Sequence, residues 1–140
     1  MPADDISVML MADYGVDLYG NTILVSPAFA EKNPDAVKGF LKALTKAIKE
    51  TVADPDAAIE YVVKANAVVD KATELERLKM AIDQNVVTDE VKKDGLGAVD
   101  MARLANSIDQ IGLTFEFKAK PTAEDSFDPA FLPEAADRAL

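Results

Sequence analysis

Ala12-Asp13-Tyr14-Gly15-Val16-Asp17-Leu18-Tyr19-Gly20-Asn21-Thr22-Ile23-Leu24-Val25-Ser26-Pro27 decides how the rest of the chain is read. One apolar run, Ile6 to Met11, leads into it. A second, Ile23 to Val25, leaves it and stops at Ser26-Pro27. Gly15 and Gly20 weaken any helix through the middle. The stretch therefore reads as two short extended segments joined by a turn, with helices built onto the far end. Two tyrosines flank that turn, which makes it the first place to expect contact with a small molecule.

The totals set bounds on the rest. A chain of 140 residues, 49% of them apolar, has enough material for one compact domain with a core. Its 15 Lys+Arg against 25 Asp+Glu leave a net charge of −10. That balance argues against nucleic acid and against an anionic membrane surface, both of which need a basic footprint. It leaves room for small anions, which local donors can hold. The chain has no cysteine and no histidine. Disulfides, thiolate chemistry, zinc sites and Ser-His-Asp triads are therefore not expected from its own residues. No apolar run has the length of a membrane span. Met1-Pro2-Ala3-Asp4-Asp5 lacks the basic and apolar regions of an export signal.

Residues 6–12 are nearly all apolar, as in a strand buried on both faces, although a short buried helical turn has the same pattern. Thr22 to Val25 is β-branched and reads as a strand. Ser26-Pro27 then predicts a helix start, with Ser as cap and Pro at the first position. Asn33-Pro34 repeats the device. Val37, Phe40, Leu41, Leu44, Ile48 and Val52 follow at steps of three and four, the stripe of a long amphipathic helix. Lys38, Lys42, Lys46 and Lys49 lie largely on its other side. Asp54-Pro55 opens another helix with Ile59, Val62 and Val63 inward. A further helix is predicted from Lys71 to Val86, with Leu75, Leu78, Ile82 and Val86 on its inner face. Gly95-Leu96-Gly97 breaks the chain. Asp100 to Ile111 returns to helical spacing, with Gly112 placed to end it. Phe115 and Phe117 alternate with charges, as an edge strand or extended segment does. Phe127, Phe131 and Leu132 read as anchors, and Pro133 to Leu140 as a weakly ordered tail or a short helix.

Certain words in this order resemble the C-terminal part of a bacterial ABC-transporter solute-binding protein. They are Asp13 to Asn21, Asn33-Pro34-Asp35-Ala36-Val37-Lys38-Gly39-Phe40-Leu41-Lys42-Ala43, Asp54-Pro55-Asp56-Ala57-Ala58, Gly95-Leu96-Gly97 and Phe131-Leu132-Pro133. The group they resemble includes the taurine/alkanesulfonate, nitrate and thiamine-pyrimidine-precursor binding proteins. The resemblance implies an α/β fold, the lobe of a type II periplasmic binding protein. On it, 1–140 is one incomplete domain: crossover strands over 1–26, a helical region over 27–112 and an extended segment over 113–140. The chain itself is expected to be mainly helical with two or three short strands. A full member has roughly twice this length or more, so the chain is expected to be a fragment that lacks the first lobe and the export signal. The resemblance also implies a small-molecule solute, a membrane permease as partner, a periplasmic or extracellular location, and no catalysis or cofactor. Apolar faces around Phe40, Leu44 and Ile48, meant to cover an absent sheet, imply self-association.

Tyr14, Asp17, Tyr19 and Asn21 make up the polar-aromatic cluster and are the candidate ligand-binding residues. Tyrosine offers a flat apolar face and a hydroxyl, and asparagine offers both donor and acceptor, as one edge of a cleft requires. The competing reading is a turn in which Asp17 and Asn21 bond local backbone and the tyrosines half-bury. Asp4/Asp5, Asp89/Glu90 and Glu124/Asp125 lack the ligand spacing of a calcium loop and read as solvated surface. The lysine face over 34–53 reads as solvated, or under the resemblance as a docking face for the permease. A helical interaction module with no solute of its own is the rival reading. An enzyme, suggested by the thiamine-pyrimidine branch, ranks behind both, because its chemistry needs residues not found in this chain.

Overall fold

Pro27, Pro34 and Pro55 each open a helix in its first turn, where the missing N–H forfeits no helical bond. The computed structural model describes residues 5, 7 and 9–140. In chain order they form a 3-10 turn at Met11–Tyr14, α1 (Pro27–Lys32), α2 (Pro34–Ala53), α3 (Pro55–Ala65) and α4 (Lys71–Ala81). A π turn at Ile82–Val86, α5 (Asp89–Asp94), α6 (Met101–Ile111), α7 (Ala123–Ser126), a 3-10 turn at Pro129–Phe131 and α8 (Ala135–Arg138) complete the order.

Short polar side chains cap most of these helices. The Ser26 hydroxyl accepts from the Phe29 N–H at 3.3 Å, and the Asp54 carboxylate accepts from Ala57 at 2.9 Å. Thr88 and Asp100 do the same for α5 and α6. Thr122 and Asp125 form a reciprocal capping box on α7. Asn33 departs from expectation. It stands at the cap position of α2, but its side-chain amide donates back to the Phe29 carbonyl at 3.3 Å, which closes α1 instead.

The chain divides into two compact units. The larger spans Val25–Ala98 and Pro129–Leu140. Its spine is α2, against which α1, α3, α8 and the 129–131 turn pack, while α3 packs on α4. Val37, Ile59, Ile82 and Leu96 are its buried apolar residues. The predicted stripe of α2 is partly covered, with Leu44, Ile48 and Val52 half-buried. Phe40 stays 55% exposed. The predicted 71–86 helix holds α geometry only to Ala81. It then widens by one residue per turn, closed by the Val87 N–H donating to the Ile82 carbonyl at 2.8 Å.

Arg138 is the fastener of this unit. Its guanidinium donates to the Pro133 carbonyl at 2.9 Å, the Asp94 carbonyl at 3.1 Å and the Leu96 carbonyl at 3.0 Å. The Leu96 N–H donates in return to the Arg138 carbonyl at 2.9 Å. The turn at 95–97 can approach so closely because Gly95 has φ +83 and a Cβ there would sit 3.1 Å from the Arg138 Cβ. The 133–140 segment is thus a docked short helix, the second of the two forms read from sequence.

The smaller unit comprises the N-terminal stretch up to Leu24 together with Val99–Asp128. Here α6 packs on α7, and Ser107, Ile108 and Ala123 are buried. Gly112 does not turn left-handed at the end of α6. Its φ is −61, and the chain winds on until the Phe115 N–H donates to the Ile111 carbonyl at 2.9 Å.

Among the described residues there is no β-strand, which corrects the two or three strands read from sequence. Ile6 and Val8 of the first lie outside the described residues, and Met11–Tyr14 turns as a 3-10 helix. Thr22 to Val25 has no ladder partner, and Leu24 is 90% exposed. Residues 115–118 are irregular. The reason is physical: strand propensity is largely packing on a pleated neighbour, and an unpaired β-branched run has no ladder to join. No helix among the described residues is long and apolar enough to cross a membrane.

Ile59 is only 1% exposed. Ile59→Ala is expected to destabilise the chain by about 2–5 kcal/mol through lost burial and a residual cavity. A lower urea midpoint at unchanged slope would register this, and an unchanged midpoint would show that Ile59 is not in the core. At α4, the Thr73 N–H and hydroxyl donate to Asp70 and hold its carboxyl below the ordinary 3.8. The cap is therefore at full strength above that value and weakens as pH falls through the lower folded-state value. Amide protection in the first turn of α4 should drop on acidification in the native chain and stay flat in Asp70→Asn, which accepts without titrating; equal acid sensitivity in both would refute the assignment.

Candidate functional site

Helix α6 carries two stripes side by side. Met101, Leu104, Ile108 and Ile111 form the apolar one, while Arg103, Ser107 and Gln110, again at steps of four and three, form a polar one beside it. Residues 15–19 lie along the polar stripe in the opposite direction. The Gln110 amide donates to the Gly15 carbonyl at 2.8 Å. Arg103 reaches Asp17 and Leu18, and the Asp100 N–H donates to the Tyr19 hydroxyl at 2.8 Å. Four extended residues cover about 13 Å and ten helical residues about 15 Å, so the two lengths match.

Arg103 is the centre of this clasp. Its Nη2 donates to Asp17 Oδ1 at 2.6 Å and its Nε to the Asp17 carbonyl at 3.3 Å. The guanidinium also lies over the Tyr19 ring, 4.1 Å from its centroid. One planar cation thus satisfies a carboxylate, a backbone carbonyl and an aromatic face, a combination that lysine cannot reproduce. Ser107, buried beneath, gives its hydroxyl to the Arg103 carbonyl at 2.9 Å. Gln110 Oε1 is buried without a hydrogen-bond partner among the described residues, so Gln110 is held by its amide nitrogen alone.

The four sequence candidates separate under this geometry. Asp17 and Tyr19 are brought together, through Arg103. Tyr14 ends the 3-10 turn and is 68% exposed. Asn21 is exposed beyond the clasp. No hydrogen bond to the Tyr14 hydroxyl or the Asn21 side chain occurs among the described residues. Asp17 and Tyr19 therefore fix the backbone of the 15–19 segment, while Tyr14 and Asn21 stand in solvent at its two ends. Arg103 and Gln110 escaped the sequence reading because they lie 86 and 95 residues away from their partners. The sign of them that was available is the second stripe, one residue behind each apolar position of α6.

Among the described residues no group of three or more acidic side chains is placed to hold a metal ion. In the larger unit, α2 and α4 leave an apolar groove of about 290 Å3 lined by Leu44, Ile48, Val52, Leu78, Ile82 and Val86 among others.

Arg103→Ala should release the segment, with faster amide exchange over residues 15–19 and a shift of the Tyr19 ring resonances. A partly exposed ion pair and one cation–π contact together account for about 1–2 kcal/mol. Arg103→Lys should recover little of it. Unchanged exchange in Arg103→Ala would remove the clasp from the account.

No curated protein and no solved structure matches the chain. A family model described as NMT1/THI5 like matches residues 2–58. The match takes in the clasped segment, α1, α2 and the start of α3. Over that stretch the chain is similar to the NMT1/THI5 like family, and the similarity supports the solute-binding resemblance at a coarse level.

Proposed function

We propose that this chain is the C-terminal portion of a solute-binding component of an ABC importer. It would capture a small organic or anionic solute in a cleft between two lobes and work without catalysis or cofactor. The observation that carries the reading is the family match over residues 2–58, which takes in three of the sequence words behind the resemblance, Asp13–Asn21, Asn33–Ala43 and Asp54–Ala58. Tyr14, Asp17, Tyr19 and Asn21 would form one wall of the cleft. The geometry supports a division of labour among them: Asp17 and Tyr19 hold the segment rigid through Arg103, and Tyr14 and Asn21 present a ring and an amide to the solute. Lobe closure on the solute would then signal to a membrane permease. Such a protein works in the periplasm or outside the cell. The open groove between α2 and α4 favours self-association of the chain in isolation.

The test is thermal shift on the chain within its complete reading frame, against taurine and other sulfonates, nitrate, pyrimidines and aromatic acids. At a hundredfold excess over Kd, one class should raise Tm by roughly 5–10 °C, the consequence of about 2.7 kcal/mol of linkage. The same solute should lose at least tenfold in affinity against Tyr14→Ala. If no class moves Tm, the reading is wrong.

A further inference from the structure

In a chain with an excess of ten negative charges, one groove is lined by three lysines and two carboxylates. Lys42, Lys46 and Lys49 stand at i, i+4 and i+7 on α2 and line a groove of about 520 Å3 within the larger unit. The opposite wall is the C-terminal segment, with Pro133, Ala136 and Asp137; on the α2 side Ala53 adds apolar surface, Thr45 a hydroxyl and Glu50 a second carboxylate. A face that is merely solvated would look outward with nothing opposite. This one is walled on one side by α8, which packs on α2, and stays open to solvent on the other. Its volume falls in the range of small-molecule sites, about 300–1,000 Å3.

The groove already handles a carboxylate. Asp137 Oδ2 lies 3.6 Å from Lys42 Nζ, and the Asp137 carbonyl accepts from Lys49 Nζ at 3.2 Å. Among the described residues, Lys46 pairs with Glu50 on its own helix, at 3.7 Å. Both ion pairs are long, and their side chains are half or more exposed. Pairs of that kind contribute about 0–1 kcal/mol, so an incoming anion displaces them at little cost. Lysines four apart on a helix sit about 5–6 Å from each other at Cβ, which suits two anionic groups on one small molecule.

We propose that this groove is a binding site for a small organic polyanion, a di- or tricarboxylate or a phosphate ester, in which Lys42, Lys46 and Lys49 hold the anionic groups and Asp137 competes for the same cations. The groove shares no residue with 14–21, and the proposal stands whether or not the importer reading does.

The probes are citrate, glucose 6-phosphate and inorganic phosphate, titrated into the 15N-labelled full chain at low salt. Saturable amide shifts are expected over 42–53 and 133–137. Lys42→Ala/Lys46→Ala should weaken citrate binding at least tenfold, while Asp137→Ala, which removes the internal competitor, should tighten it several-fold. The opposite responses of the two variants separate a site from bulk attraction, and the dispersion of the amide spectrum shows whether each variant is folded. Shifts spread equally over Lys64, Lys71, Lys92 and Lys118, or weaker binding in Asp137→Ala, would overturn the proposal. Weak binding of inorganic phosphate alone, with no gain for citrate or the sugar phosphate, would also overturn it, since a single anionic group would then suffice.

Discussion

The burial of one side of α2 is the constraint on which the larger unit depends. A twenty-residue helix is far past the length at which nucleation limits it, but it still needs something to cover its apolar stripe. Here α1, α3 and the 129–131 turn pack against the helix, α8 packs on the side of Lys42, Lys46 and Lys49, and Leu44, Ile48 and Val52 line the groove shared with α4. Each well-buried aliphatic side chain contributes about 1.5–3 kcal/mol, against about 0–1 for each exposed ion pair. The apolar positions therefore set the arrangement, and pairs such as Lys79–Asp56 decorate it. Arg138 is the exception among the polar groups, because its three bonds go to backbone carbonyls that would otherwise face a half-buried crevice.

The clasp on α6 solves a different problem. Residues 15–19 bury little apolar surface, so hydrophobic burial cannot hold them. Their carbonyls and one carboxylate are held instead by donors on a rigid helix. The polar groups at this place are taken up in positioning, and under the proposed function recognition falls to Tyr14 and Asn21 just outside. A binding wall benefits from that arrangement, because a segment already ordered before the solute arrives loses less entropy on binding.

Much of the helical order was legible because its signals are local. Ser26-Pro27, Asn33-Pro34 and Asp54-Pro55 mark their helices within two residues, and the three- and four-residue steps of Leu44, Ile48 and Val52 identify the inner face. The misreadings share one cause. Thr22 to Val25 has the composition of a strand, yet a strand exists only with a partner, and the partner is not a property of those four residues. Gly112 has the composition of a left-handed terminator, yet the chain continues right-handed through it. Asn33 has the chemistry of a cap but spends its amide on the preceding helix. At the site, Asp17 and Tyr19 were visible as types. That they answer to Arg103, which stands 86 positions from Asp17, was not visible.

The clasp has a consequence for the order in which the chain takes shape during synthesis. Its two halves, residues 15–19 and α6, are separated by the whole of α1 to α5. Closing so long a loop costs entropy that grows as the logarithm of its length, and it cannot begin until α6 has left the ribosome. The contacts of α2 with α3 and of α3 with α4 are between sequence neighbours and are available earlier. The nascent chain therefore builds its middle before its beginning, and the N-terminal segment waits, uncharged from Leu18 to Ala30, for the helix that will hold it.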